Sequence, residues 1–335
     1  MYKGTIQSQS QSPELSHCLH FLGKNWSHGF SFLVGIIHPE VISPPLDWVP
    51  GTELQRLFSS CPPMEMVVIQ DCDVQMSDQR NIVIDSHSLQ FCSAIDSLTC
   101  TTKISAPNVK EFICTGFMTG DFSLENFSSL VGAHLNMRLR GEGADETAKT
   151  YSELLAEENE VFAKRMMKYL GAVHNVHHLT LSSGFLEVLL QAPSTLYRQP
   201  PQLCNLETLK LEMRFTRGSL RSIAYLLKIS PVITSLILTS KESNLADVGD
   251  DWESGLSLTC MFSHLKFVEI REVEGCDNEL KFLTFLLKNS MVLEKLSLFF
   301  RYTSDSLDRG RYVRRFKRNL KLLPTASSSI QMHFF

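Results

Sequence analysis

No stretch of this 335-residue sequence is apolar for long enough to cross a bilayer. The run Phe30–Ile37 contains Gly35 and stops at His38, Pro39 and Glu40. The N-terminus shows no basic segment followed by an apolar one, so the secretory-signal pattern is missing. Neither sign of charge dominates: 32 Lys+Arg stand against 36 Asp+Glu, a formal net charge of −4. That balance predicts no global attraction to nucleic acid or to an anionic membrane. Nine cysteines are present, Cys18, Cys61, Cys72, Cys92, Cys100, Cys114, Cys204, Cys260 and Cys276, and none form a C-x-x-C pair. Odd in number and mostly in or beside apolar runs, they read as reduced, mainly buried thiols of a cytoplasmic or nuclear protein. The sequons at Asn25 and Asn126 carry no weight without a secretory signal.

Catalytic signatures are also missing. There is no G-x-S-x-G, H-E-x-x-H or kinase-type set. Gly141-Glu142-Gly143 has no third glycine or phosphate-binding lysine after it, and Glu142 and Asp145 would repel phosphate. It reads as a polar turn. His174, His177 and His178 form the densest histidine cluster, but a metal site needs three or four ligands at fixed geometry. Histidines after a helix end suit the helix dipole, which is the simpler reading. The expectation is a protein with no catalytic residues, no cofactor and no bound metal.

One pattern recurs: apolar, two variable positions, apolar, one variable position, apolar. It appears as Met64/Val67/Ile69, Val109/Phe112/Cys114, Val176/Leu179/Leu181 and Leu206/Leu209/Leu211, then as Ile233/Leu236/Leu238, Leu265/Val268/Ile270 and Leu293/Leu296/Leu298. Weaker candidates lie near Leu89–Phe91 and at Leu130/Ala133/Leu135. In a strand, positions i and i+2 share a face, so Leu209 and Leu211 point inward together while Leu206 anchors the turn before them. Such a short strand cannot bury its face alone and needs a stacked neighbour. The five C-terminal units recur every 27–32 residues, a leucine-rich-repeat spacing.

Between the strands, Ser219–Ile229 and Asn278–Lys288 carry apolar residues at helical spacing. The fold class expected is α/β: an irregular leucine-rich-repeat solenoid with a parallel sheet on one face and helices on the other. Three divisions are expected: 1–50 poorly ordered or atypical, 51–261 irregular repeats, and 262–335 a C-terminal set with a cap. Gln7–Ser12 reads as loose and Pro39–Pro50 as loop. A single amphipathic helix is expected over about 144–170, with Leu154, Leu155, Val161, Phe162, Met166 and Leu170 as its stripe. Its acidic cluster Glu153, Glu157, Glu158 and Glu160 reads as a solvated face.

On a solenoid the outward strand positions are the contact candidates: Lys210, Glu212, Arg214, Glu269, Arg271 and Ser297. Arg309–Lys321 reads as an amphipathic helix, with Val313, Phe316, Leu320 and Leu323 inward and Arg311, Arg314, Arg315 and Arg318 outward. Three readings stay open for that face: a solvated cap, a nuclear-import signal, or a nucleic-acid patch. Ile330–Phe334 alternates and suggests a last strand covering the sheet edge.

The C-terminal succession is distinctive. Phe262-Ser-His-Leu-Lys-Phe-Val-Glu-Ile270 is followed by Gly275, Glu279–Leu283, Phe285–Ser290 and Leu293–Leu296, then Phe316-Lys317-Arg318 and Ala326–Ile330. It resembles the FBD domain that ends many plant F-box/leucine-rich-repeat proteins. Leu57–Pro62 and Asp71-Cys72 resemble the repeat those proteins carry ahead of it. The resemblance implies a leucine-rich-repeat solenoid that recognises substrate for an SCF-type ubiquitin ligase. The expected partner is then a protein substrate, with a Skp-type adaptor and cullin joining only through an F-box. Such an F-box usually opens with a Leu-Pro pair and closes with a Trp-Arg-containing helix, and residues 1–50 show neither. The expectation is therefore the recognition half of such an adaptor, or an interaction or decoy protein independent of the ligase.

Overall fold

The computed structural model describes residues 65–70, 74–75, 81–95, 101–139, 147–191, 201–242, 245–254, 256, 262–301 and 307–335, with short strand segments between 20 and 50. Two compact units divide the chain, Met1–Arg140 and Gly141–Phe335. Gln7–Ser12, Leu57–Pro62, Met64, Asp71-Cys72 and Gly141–Gly143 lie outside the described residues.

The first unit is built from strands. After β1 (His20–Phe21), β2 (Lys24–Trp26), β3 (Gly29–Ser31), β4 (Leu33–Ile36) and β5 (Val49–Pro50) come β6 (Met66–Gln70), β7 (Val74–Gln75) and β8 (Asn81–Asp85). They are followed by β9 (Phe91–Ile95), β10 (Thr101–Ser105), β11 (Glu111–Phe117), β12 (Phe122–Glu125) and β13 (Gly132–Arg138). The chain alternates between two parallel sheets: β6, β9, β11 and β13 form one, and β8, β10 and β12 the other. In register, Val67, Cys92, Phe112 and Ala133 stack as one buried row, with Ala94, Cys114 and Leu135 as the next. Leu89, Val109 and Leu130 sit buried three residues ahead of the first inward residue of their strands, so the weaker candidate near Leu89 resolves as Leu89/Cys92/Ala94.

This corrects one expectation. Helices were expected between the strands of the sheet, whereas the described residues of this unit carry β8, β10 and β12 between them in the chain. The segments 96–110 and 118–131 are shorter than the crossovers 214–234 and 274–294 that carry helices in the second unit. Period-2 burial decides the matter locally: Thr102 and Ile104 are buried while Lys103 and Ser105 are half-buried.

The second unit mixes strands and helices. Helix α1 (Ala148–Ser152) and helix α2 (Ala156–Ala172) precede β14 (His178–Leu181) and α3 (Ser183–Leu189). Then come β15 (Thr208–Met213), α4 (Arg217–Ile229), β16 (Ser235–Ser240), β17 (Phe267–Val273), α5 (Asp277–Asn289), β18 (Lys295–Phe300), α6 (Leu307–Lys321) and β19 (Gln331–Phe334). The six strands pair in chain order and in parallel. Every residue of the five triads from Val176 to Leu298 is at most 2% exposed, so the spacing found in the sequence is the inward face of this sheet. Turn entries repeat as well: Thr208, Thr234, Lys266, Glu294 and Gln331 each donate a backbone N–H to the turn one strand back.

The single helix expected over 144–170 is two. Leu155 is extended at φ −65° and ψ 147°, and its N–H donates to the Glu158 carboxylate, which starts a new helix there. Leu155 and Val161 are 68% and 45% exposed, so they leave the expected stripe. The buried face is instead Phe162, Ala163, Met166, Met167, Tyr169 and Leu170.

A longer correspondence emerges in this unit. Thr216 and Cys276 are both N-cap residues of thirteen-residue helices, and Ile233/Leu236/Leu238 and Leu293/Leu296/Leu298 hold matching places after those helices. The strand before α5 carries one extra residue, taken up by an irregularity between Ile270 and Val273 where Glu272 adopts φ +58°. Where a helix would stand between β16 and β17, the described residues place Trp252 and Phe262 edge-on against Phe285 of α5, at 4.9 and 5.6 Å. Stripping the inward leucine of one strand opens a cavity that its stacked neighbours cannot refill. Leu209→Ala is expected to lower stability by about 2–5 kcal/mol. Outward Lys210→Ala is expected to change it by about 0.5 kcal/mol or less, both read from urea denaturation.

Candidate functional site

The outward face of the second unit's sheet is a register of rows. One row runs Thr180, Lys210, Ile237, Glu269, Ser297, His333, each residue paired with the next. A second runs Glu212, Thr239, Arg271. Lys210 and Arg271 are exposed, and Glu212 and Glu269 are half-buried. Ion pairs tie this face together: Lys241 to Glu212 at 3.2 Å and Arg271 Nε to Glu269 at 2.5 Å. Both pairs are solvated, so they orient side chains more than they stabilise the fold.

Two of the six expected contact residues are not on the surface. Arg214 is 5% exposed: the strand ends at Met213, and Arg214 turns to the Glu242 carboxylate at 3.0 Å with its guanidinium over the Tyr151 ring. Ser297 has the outward parity but is also 5% exposed, a short side chain between Glu269 and His333. Alternation predicts direction, and neighbour size decides exposure. The same edge carries an aromatic group missed by the spacing argument. Phe299 and Phe335 stack at 4.5 Å and 12°, and Phe335 lies near-parallel to His333 at 6.3 Å.

Beneath the face lie polar residues whose partners could not be inferred from spacing. Glu187 of α3 is 6% exposed and accepts hydrogen bonds from Thr216 Oγ1 and Ser219 Oγ at 3.0 Å, so it holds the start of α4. Burial pushes its carboxyl above the usual range, against those two hydrogen bonds and Arg214. Glu279 of α5 does a similar task on its own helix. Its carboxylate accepts from the backbone N–H of Glu274, Gly275 and Cys276 at 3.0, 2.6 and 3.0 Å. Gly275 sits at φ +85°, where a side chain would be strained, and faces Phe316 of α6. Asn278 donates to Phe215 O and Ala246 O and accepts from Val248 N–H, which pins the segment after β16.

Burial pushes the Cys92 and Cys276 thiols up to about 12, which leaves them protonated at neutral pH. Cys114 is buried and Cys204 exposed. Among the described residues no three His, Cys, Asp or Glu side chains gather as a metal site. His174 Nδ1 lies 2.9 Å from Gly171 O and His177 Nδ1 lies 3.3 Å from Glu207, each occupied separately. No helix among the described residues is long and apolar enough to cross a membrane.

The basic helix forms as α6. Phe316 and Leu320 are buried, Val313 and Leu323 half-buried, and Arg311, Arg314, Arg315 and Arg318 exposed. β19 follows and adds a parallel strand to β18.

Residues 257–298, from the approach to β17 through β18, match the FBD family model. The chain carries an FBD domain. Gly275, Glu279 and the 265/268/270 and 293/296/298 triads fall inside the match, so the backbone-binding carboxylate and two buried rows belong to the FBD domain. Relatives extend the likeness. A putative F-box/FBD/LRR-repeat protein of Arabidopsis thaliana is 25% identical over 269 residues, 76% of this chain and 54% of its own length. An F-box/LRR-repeat protein of the same plant is 24% identical over 292 residues, 82% of this chain and 58% of its own. An FBD-associated F-box protein, also from Arabidopsis thaliana, is 24% identical over 295 residues, covering 83% and 58%. The chain spans just over half the length of the curated relatives it matches. No solved structure matches it.

Two outcomes follow from the buried charges. Arg214→Ala leaves the carboxylates of Glu242 and Glu187 without their cation and is expected to lower stability by about 3 kcal/mol, the low end for a broken buried pair because Glu242 stays partly exposed. Urea denaturation reads it. Glu187, raised in the folded state, contributes stability that is present below the unfolded carboxyl value near 4.5 and is lost as pH rises through the higher folded value. Glu187→Gln removes that titration, so its stability should fall less than the wild type's when pH is raised from the acid side to 7.

Proposed function

We propose that this protein is a non-catalytic recognition scaffold: an irregular leucine-rich-repeat solenoid that serves as the substrate-recognition part of an F-box/FBD-type SCF ubiquitin-ligase adaptor. The observation that carries this reading is the six-strand outward face within the unit that holds the FBD domain. Its rows present chemically varied side chains on a backbone held by parallel pairing and by buried leucines. A rigid ladder of this kind loses little conformational freedom on binding, so its contacts are available as affinity.

The contact set is Lys210, Glu212, Glu269 and Arg271, joined by Phe299 and Phe335 at the edge. Arg214 and Ser297 act beneath it as supports. The partner is a folded protein or peptide, and a Skp-type adaptor and cullin would join through an F-box. The F-box and repeat names of the relatives support this assignment. A non-enzymatic role is supported by the protonated thiols and by the repeat names those relatives carry. A cytoplasmic or nuclear site of action fits the reduced cysteines, and nucleic acid is not the expected ligand of the sheet face.

Co-precipitation from plant cells tests the ligase role directly. Recovery of both a Skp-type adaptor and a cullin is the expected result. Recovery of a substrate protein without either would replace the ligase role with a ligase-independent or decoy one. Charge reversal of the face, Lys210→Glu with Arg271→Glu, is expected to reduce substrate recovery at least tenfold while circular dichroism stays unchanged. Undiminished recovery would move the contact surface elsewhere.

A further inference from the structure

We propose that the outer face of α6 is a docking surface for an acidic, partly apolar protein segment, distinct from the strand rows. Arg311, Arg314, Arg315 and Arg318 recur at i, i+3, i+4 and i+7, and all four are exposed, so their guanidinium groups form one stripe along the helix. The opposite stripe is already committed to the fold: Phe316 and Leu320 are 3% and 0% exposed. Lys317 lies over the Phe300 and Phe334 rings at 4.7 and 5.5 Å, and Lys321 lies over Phe334 at 5.5 Å. Lysines brace this helix, and arginines are left facing out.

The charge is concentrated along the sequence, with Asp308 the one acidic residue of α6, at its start. Residues 309–335 hold seven cations and no carboxylate, in a chain whose net charge is −4. Elsewhere in the unit several cations sit on carboxylates: Arg217 on Asp251 at 2.9 Å, Lys266 on Glu294 at 3.1 Å, and half-buried Lys281 on Asp247 at 2.7 Å. Among the described residues no ion pair joins Arg314, Arg315 or Arg318 to a carboxylate. Like charges at i, i+4 oppose the helix they stand on, which makes the arrangement unfavourable unless an anion covers it.

The ligand chemistry follows from what surrounds the stripe. Tyr312 and Leu322, 64% and 77% exposed, flank it and offer apolar contact. Arginine forks bind carboxylates in pairs, and a stripe about 10 Å long matches two turns of a partner helix. A nucleic acid would draw on many phosphate contacts spread over a wider basic surface, and its backbone would leave Leu322 unused. A segment with glutamates at i, i+3, i+4 and i+7 beside a leucine satisfies both features.

Fluorescence anisotropy on the full chain tests this with a labelled fourteen-residue helical peptide of that pattern, its Gln-for-Glu counterpart, and a fourteen-nucleotide DNA strand. The glutamate peptide is expected to bind, and to weaken at least tenfold between about 50 and 300 mM salt as screening shortens. The glutamine peptide should bind at least tenfold less tightly. Arg314→Glu with Arg315→Glu should abolish binding with circular dichroism and thermal midpoint unchanged. Leu322→Ser should weaken it severalfold without altering the salt slope, and Lys210→Glu on the sheet face should leave it intact. Absence of peptide binding, equal binding by the arginine variant, or tighter binding of the DNA would each overturn the proposal. Loss with Lys210→Glu would do so as well, by returning the contact to the strand rows.

Discussion

A six-residue strand satisfies its backbone only against a neighbour, and a strand with an apolar inner face hides that face only if the neighbour carries one in register. Those two demands coincide in the second unit. Leu179, Leu209, Leu236, Val268 and Leu296 stack directly, with Leu181, Leu211, Leu238, Ile270 and Leu298 one step further along. Each row is buried by the rows beside it, so no repeat is stable alone and each strand's register is set by its neighbours. The outward rows, the helix placements and the candidate contact face all inherit their positions from that stacking.

Polar side chains supply what apolar stacking leaves undetermined. A leucine row resists separation but does little to orient the turn that leaves the sheet. Glu187, Asn278 and Glu279 orient those turns by binding backbone and hydroxyl donors at helix starts. Two of the three place a carboxyl group in an enclosed position, where its charged form costs solvation unless donors converge on it. Around Glu279 three backbone N–H groups do so, one of them from Gly275 in a conformation other residues resist. The FBD match spans that arrangement.

Legibility followed sequence distance. The triads and the helices between them are local patterns, and each inward triad residue from Val176 on was identifiable from spacing alone. Local pattern misjudged three places, for reasons that can be named. Thr102 and Ile104 alternate with period 2 over too few residues to outweigh the expectation of a helix. The break at Leu155 depends on where Glu158 reaches back. Arg214 and Ser297 have outward parity, but one meets Glu242 and Tyr151 and the other is overshadowed by larger neighbours. The partners of Glu187 are about thirty residues away, and no spacing rule connects them.

By itself the sequence determined which residues face inward, that the second unit alternates strand with helix, and that α6 carries its arginines on one side. Each of these depends on periodicity, which a residue and its near neighbours settle together. Only the tertiary structure decided which outward residues reach solvent, which carboxylates hold helix starts, and that the first unit pairs a second set of strands between those of its sheet. Those outcomes depend on the size and charge of whatever the next turn of chain brings alongside, and no single stretch of sequence contains both partners.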